Sequence, residues 1–186
     1  MTIIKRVKLK GFKSFAKPTV LEFGDRFNIV LGPNGSGKSN IMDALCFVFG
    51  KISAKSLRAE KTANLVFNGG KSGSALKEAE VSIFFENKNR EFQVDADEVK
   101  LSRFVRMNGQ SIYKFNDQKV TRQQIIELLA QARIDPNGHN IILQGDIVHF
   151  MEMHTEQRRE IIEEVSGISV YEERNIKLYW ILIRLT

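Results

Sequence analysis

The chain has 186 residues, 42% hydrophobic and 27% charged, with a formal net charge of +6, the balance of one globular domain with a sizeable core. It has no run near the roughly 18 apolar residues of a membrane helix, and its first residues, Met1-Thr2-Ile3-Ile4-Lys5-Arg6, lack the apolar core of a signal peptide. A single cysteine, Cys46, excludes an internal disulfide, so a cytoplasmic protein with no membrane partner is the expectation.

Residues 3–10 alternate, Val7 and Leu9 facing in and Lys8 and Lys10 facing out, which predicts a half-buried strand. Lys5, Arg6, Lys8, Lys10, Lys13, Lys17 and Arg26 face only Glu22 and Asp25 in this opening stretch. Such a bias suits a polyanion such as DNA, and it equally suits the solvated faces of strands. Gly11-Phe12-Lys13-Ser14-Phe15 interrupts the strand, and residues 20–23 read as a second one after Pro18.

Phe27-Asn28-Ile29-Val30-Leu31 reads as a short buried strand. It leads into Gly32-Pro33-Asn34-Gly35-Ser36-Gly37-Lys38-Ser39, the pattern G-x-x-x-x-G-K-[ST]. Glycines let the backbone turn tightly and aim successive N–H groups at phosphate oxygens. Lys38 would add a charge on the β/γ-phosphates, and the Ser39 hydroxyl a ligand to Mg²⁺. Ile41, Ala44, Leu45, Val48 and Phe49 then recur at helical spacing, which aims a helix N-terminus at the anion. Strand, glycine loop and helix in that order predict nucleoside triphosphate binding. Cys46 falls among the apolar residues of that helix and reads as a buried thiol.

Residues 51–61 are polar and basic, Leu65-Val66-Phe67-Asn68 reads as a strand closed by Gly69-Gly70, and residues 71–77 read as a loop. Residues 79–86 and 99–107 read as strands, and Asn108-Gly109 predicts a hairpin into residues 111–115, an antiparallel meander. Thr121 and Gln124 form a capping box for a helix ending near Arg133. Asp135-Pro136-Asn137-Gly138 predicts a turn, and Ile141-Ile142-Leu143 a buried strand ending at Gln144. Residues 155–165 predict a charged helix with Ile161, Ile162 and Val165 on one side. Beyond it, Ile168, Tyr171, Asn175, Leu178, Leu182 and Leu185 fall at coiled-coil spacing, although Trp180, Ile181 and Ile183 lie off that seam and fit a buried helix as well.

A guanine-nucleotide switch reads its base with Asn-Lys-x-Asp. Here Asn87-Lys88-Asn89-Arg90 puts a cation where the carboxylate belongs, which excludes that class. A self-sufficient hydrolase also needs an apolar strand ending in Asp to hold Mg²⁺. Val81-Ser82-Ile83-Phe84-Phe85-Glu86 ends in no Asp, and Ile141-Ile142-Leu143 ends in Gln144, whose carbonyl can hold Mg²⁺ or a water. The sequence carries half of a hydrolytic site.

Leu9-Lys10-Gly11-Phe12-Lys13-Ser14-Phe15, the phosphate loop continued by Asn40-Ile41, and Ser53-Ala54-Lys55-Ser56-Leu57-Arg58 resemble the N-terminal head of structural maintenance of chromosomes (SMC) proteins. Asn140-Ile141-Ile142-Leu143-Gln144-Gly145-Asp146-Ile147 and the charged stretch from Glu156 to Ile168 extend the likeness to about residue 173, in the style of archaeal and bacterial homodimeric members. The resemblance implies an α/β fold: the N-terminal lobe of an ABC-type P-loop ATPase head over residues 1–167, with an antiparallel meander, and the start of a coiled-coil helix over 168–186. It implies that Pro33, Asn34, Gly35, Ser36, Gly37, Lys38, Ser39 and Asn40 hold ATP and that Gln144 senses Mg²⁺ and the γ-phosphate. Lys13 and Ser14 match early nucleotide contacts, with Lys13 near the phosphates, and Arg58 an arginine finger acting in cis. On the residues alone Lys13 has the alternative of an exposed lysine, and a solvated arginine is the commoner outcome for a loop residue such as Arg58, whose role rests on the resemblance.

The implied partners are a C-terminal half-head that carries the remaining catalytic motifs, a second complete head, a kleisin-type subunit and double-stranded DNA. The implied role is chromosome condensation and segregation at the nucleoid. A zinc-hook repair ATPase shares the loop and the glutamine, and a truncated, non-catalytic nucleotide- or DNA-binding module is the other reading. Residues 175–186 depart from the family in turning apolar, as a truncated, frameshifted or split product would.

Overall fold

β1 (Ile3–Lys10) buries Val7 and Leu9 completely and turns Lys10 outward, as its alternation requires. The computed structural model describes residues 2–50, 57–70, 73–134, 141–143 and 146–166, which fall into two units, Met1–Pro136 and Asn137–Thr186. In the first unit β1 lies between β2 (Thr19–Glu22) and β3 (Glu78–Glu86), and β4 (Glu98–Arg106), β5 (Ser111–Phe115) and β6 (Gln118–Val120) complete a six-stranded antiparallel sheet. Its order is β2-β1-β3-β4-β5-β6. The predicted meander is therefore present, with β6 an extra short strand. The hairpin between β4 and β5 turns at Gly109, whose φ of 82° is the left-handed backbone that Asn-Gly supplies.

One sheet face carries Val7, Leu9, Ala79, Val81, Ile83, Phe85, Val99, Leu101 and Val105, all 0–1% exposed. Helix α1 (Lys38–Val48) lies against β3 and β4 on that face and contributes Ala44, Cys46, Phe47 and Val48 to the core. Helix α2 (Arg122–Gln131) packs on β5 through Ile125 and Leu129. The predicted capping box starts α2: Thr121 Oγ1 accepts from the Gln124 N–H, and Gln124 Oε1 accepts from the Thr121 N–H at 2.8 Å. Thr121→Ala should therefore lower stability by about 1 kcal/mol without changing the fold, read as an earlier urea midpoint at unchanged slope.

Two arginines donate to carbonyls at and just beyond the C-terminus of α1. Arg103 Nη1 donates to Phe47 O at 2.7 Å and Arg122 Nε donates to Gly50 O at 2.9 Å. Arg103 lies 4.2 Å from the Phe47 ring centre and 4.7 Å from that of Tyr113. Burial holds its guanidinium below the usual arginine range and pushes the Tyr113 phenol above the usual tyrosine range. The far end of α1 is thus fixed to the sheet.

Three strand predictions fail. Residues 27–31 form no strand and face solvent, Phe27 and Leu31 at 85% exposure, because no described strand pairs with them. Residues 65–68 are instead the end of a short 3-10 helix (Thr62–Leu65) and an isolated bridge between Val66 and Phe12. Residues 141–143 have no strand pairing among the described residues either, and Ile142 is 61% exposed.

The second unit holds α3 (Asp146–Glu152), a helix that the sequence pattern does not announce, and the predicted charged helix α4 (Thr155–Ser166). Ile161 is half-buried, whereas Ile162, expected on the same side, is exposed. The predicted turn at 135–138, most of the basic segment (51–56), Gln144 and the tail from 168 onward lie outside the described residues.

Candidate functional site

The glycine loop runs exposed over residues 32–36 and delivers the chain to the N-terminus of α1. Gly35 (φ 81°) and Gly37 (φ 95°) both take the left-handed backbone that side chains resist. Gly37 is the N-cap of α1, with no side-chain cap among the described residues, so the N–H groups of Lys38 and Ser39 are left uncapped at the positive end of the helix dipole. The loop closes on itself through Ser36 N–H to Pro33 O (3.3 Å) and Asn40 N–H to Gly37 O (2.9 Å). Lys38 Nζ donates to Gly32 O at 2.6 Å and Pro33 O at 2.7 Å, which holds the ammonium over the loop. Ser39 lies in the first helical turn. Backbone donors, a helix N-terminus and an ammonium around one exposed loop are the groups that a polyphosphate cradle needs.

The turn at residues 11–15 lies along α1 and contacts it residue by residue. Asn40 Nδ2 donates to Ser14 Oγ at 2.9 Å, and a Cβ built on Gly37 would lie 2.9 Å from the same oxygen. Lys13 Nζ donates to Asp43 Oδ2 and to Leu57 O, each at 2.5 Å. The Phe12 ring packs on Phe47 with centres 5.3 Å apart. Asn40, Asp43 and Phe47 are three and four residues apart and so share one face of the helix. Three successive turn residues therefore meet one stripe of α1 that begins at the phosphate loop.

Arg58 meets the same stripe. Its Nε lies 3.2 Å from Asp43 Oδ1 and its Nη2 2.5 Å from Asp43 Oδ2, so one carboxylate holds two cations. Asp43 is 3% exposed. No motif in the sequence marks it. The available signal is a lone carboxylate in the otherwise apolar run Ile41-Met42-Asp43-Ala44-Leu45, where burial demands a cationic partner.

A family model, the RecF/RecN/SMC N-terminal domain, matches residues 3–167. The chain belongs to that family. An SMC relative, the chromosome partition protein Smc of Pyrococcus furiosus, is 44% identical over 178 residues. The match takes in 95% of this chain and 15% of the relative, so the chain spans under a fifth of that protein's length. The Smc head domain of Pyrococcus furiosus with an extended coiled coil, solved bound to the C-terminal domain of ScpA, superposes with a TM-score of 0.86. It is 44% identical, over 95% of this chain and 45% of that one. A further solved chain comes from the structural biochemistry of ATP-driven dimerization and DNA-stimulated activation of SMC ATPases. It superposes with a TM-score of 0.81 at 44% identity, over 87% of this chain and 98% of that one. The fold is that of the N-terminal lobe of an SMC ATPase head, P-loop and ABC-type.

In this SMC lobe, the structure brings Lys13, Ser14, Asn40 and Arg58 to the stripe of α1 that starts at the glycine loop. Lys13 is not the solvated cation that the residues alone allow, since it pairs with Asp43 and is largely buried, whereas Arg58 pairs with Asp43 and keeps much of its side chain in solvent. Gln144 lies outside the described residues. Asn87, the first residue of the rejected guanine motif, instead ties down its own loop. Its Nδ2 donates to Val94 O and Ala96 O, and its Oδ1 accepts from Phe92 N–H.

Proposed function

We propose that this chain is the ATP- and DNA-binding N-terminal half of an SMC ATPase head serving chromosome partition. The glycine loop at the N-terminus of α1, with Lys38 lying over it, carries the reading. Pro33, Asn34, Gly35, Ser36 and Gly37 cradle the phosphates, Lys38 supplies the ammonium, and Ser39 with Gln144 holds Mg²⁺. Ser14 and Asn40 border the loop, and Lys13 and Arg58 add positive charge beside it. The bound metal would polarise the phosphate oxygens; the chain's own groups bind and orient the nucleotide.

Residues 1–167 act as the lobe, and the coiled-coil helix starts near 168. Hydrolysis requires the C-terminal half-head and then a second complete head, consistent with the ATP-driven dimerization described for the related SMC ATPases. The exposed apolar residues Phe27, Ile29, Val30 and Leu31 are where strands of that half-head complete the fold. The ScpA-bound relative supports a kleisin-type subunit as a further partner. DNA meets the basic surface, and the complex acts at the nucleoid.

Mixing the chain with a separately purified C-terminal half-head tests the division of labour. Phosphate release stimulated by DNA should appear in the mixture and in neither half alone. Brisk turnover by this chain alone would refute the scheme.

A further inference from the structure

We propose that Asp43 is a positioning residue for the phosphate site: its buried carboxylate fixes Lys13 and retains Arg58 through a contact that a bound polyphosphate displaces. The inference rests on the nucleotide reading above.

The two cations meet Asp43 differently. The Lys13 side chain is 11% exposed, has a second acceptor in Leu57 O, and is tied through its own N–H to Leu65 O at 2.8 Å. It is built in. The Arg58 side chain is 42% exposed, and its described hydrogen bonds all go to Asp43. It is an arm resting on a carboxylate. The residue before it, Leu57, is 1% exposed, so the arm has a fixed shoulder. Both cationic residues hold positive φ, 48° at Lys13 and 52° at Arg58, backbone that these side chains adopt only when their surroundings impose it.

Asp43 lies five residues into α1 from Lys38, roughly 7.5 Å along the axis at 1.5 Å per residue. Ser14, the neighbour of Lys13, accepts from Asn40 at the mouth of the loop and occupies the space that a side chain on Gly37 would need. The cluster therefore lies little more than one helical turn along α1 from the loop, with two positive charges on one negative charge. A carboxylate offers a guanidinium two oxygens and one charge, whereas a polyphosphate offers more of both in the same forked geometry. Anion in the cradle and Asp43 are then competitors for Arg58. Lys13 stays behind to neutralise the buried carboxylate, so the arm can leave without stranding a charge.

The test is a double-mutant cycle on ATP affinity in the full chain, with Asp43→Asn, Arg58→Ala and the pair. Asp43→Asn keeps shape and removes the competing charge. It should tighten ATP binding about fivefold, a change on the scale of one near-surface charge interaction. In the Arg58→Ala background the same substitution should change affinity by less than about twofold. A purely structural Asp43 would weaken binding, whether or not Arg58 is present. Weakened binding, or a gain that persists without Arg58, overturns the proposal. Should Asp43→Asn fail to fold, the wild-type Arg58 Nε–H resonance decides: it should move on ATP addition, and an unmoved resonance in the ATP-bound chain overturns the proposal. A wild-type chain that binds no ATP overturns the nucleotide reading and this inference together. Wild-type binding without coupling overturns the role of Asp43 alone.

Discussion

Lys38→Ala should abolish ATP binding while leaving the fold as stable as before. Among the described residues the Lys38 ammonium bonds to Gly32 O and Pro33 O, both in exposed positions on the loop. Hydrogen bonds so placed exchange with water at little net cost, so the melting temperature should be unchanged within about 1 °C. Against a polyphosphate the same ammonium makes charge-assisted bonds, each worth about 1.5–3 kcal/mol, and losing two of them weakens binding at least about a hundredfold. A fluorescent-nucleotide titration beside a thermal melt reads both quantities. Lys38→Arg separates charge from shape: it restores the charge, but the planar fork does not suit two carbonyls of one tight loop, so recovery should be partial. Unchanged affinity in Lys38→Ala would remove the basis for assigning the loop to phosphate.

The legible parts of the fold are those whose patterns are written over a short stretch of sequence. The Asn108-Gly109 turn and the Thr121–Gln124 box use partners within the same hairpin or helix, and the alternation of Val7 and Leu9 is written within one strand although its β3 neighbours, Ile83 and Val81, lie far along the chain. Residues 27–31 show the limit. Phe27-Asn28-Ile29-Val30-Leu31 has the composition of a strand covered on both faces, and composition reports the burial a segment is suited to, not who supplies it. Here its large apolar side chains stand 47–85% exposed. The loop and helix are legible because the phosphate motif encodes backbone geometry directly. Asp43 is not, since its meaning depends on Lys13, thirty residues earlier, and Arg58, fifteen later. A single acidic residue on a helix reads as solvated until the turn that covers it is placed.

Phe12→Ala should have the opposite profile to Lys38→Ala, removing stability first and nucleotide binding only as a consequence. Phe12 is 0% exposed and packs on Phe47, while Phe67 N–H donates to Gly11 O and Lys13 N–H to Leu65 O, each at 2.8 Å. Truncating a fully buried phenylalanine costs about 3–5 kcal/mol, a large share of the roughly 5–15 kcal/mol that holds a typical domain. The urea midpoint should therefore fall steeply. Phe12→Leu tests what the ring does beyond filling space. It should cost about 1.5 kcal/mol or less and keep the chain folded, but without the ring–ring contact the turn is less firmly registered on α1. Ser14 on Asn40 and Lys13 on Asp43 depend on that register, so ATP affinity in Phe12→Leu should fall a few-fold although no nucleotide-facing group has changed. A folded Phe12→Leu chain with wild-type affinity would mean that the loop and helix dipole suffice for the phosphates and that the turn serves packing alone.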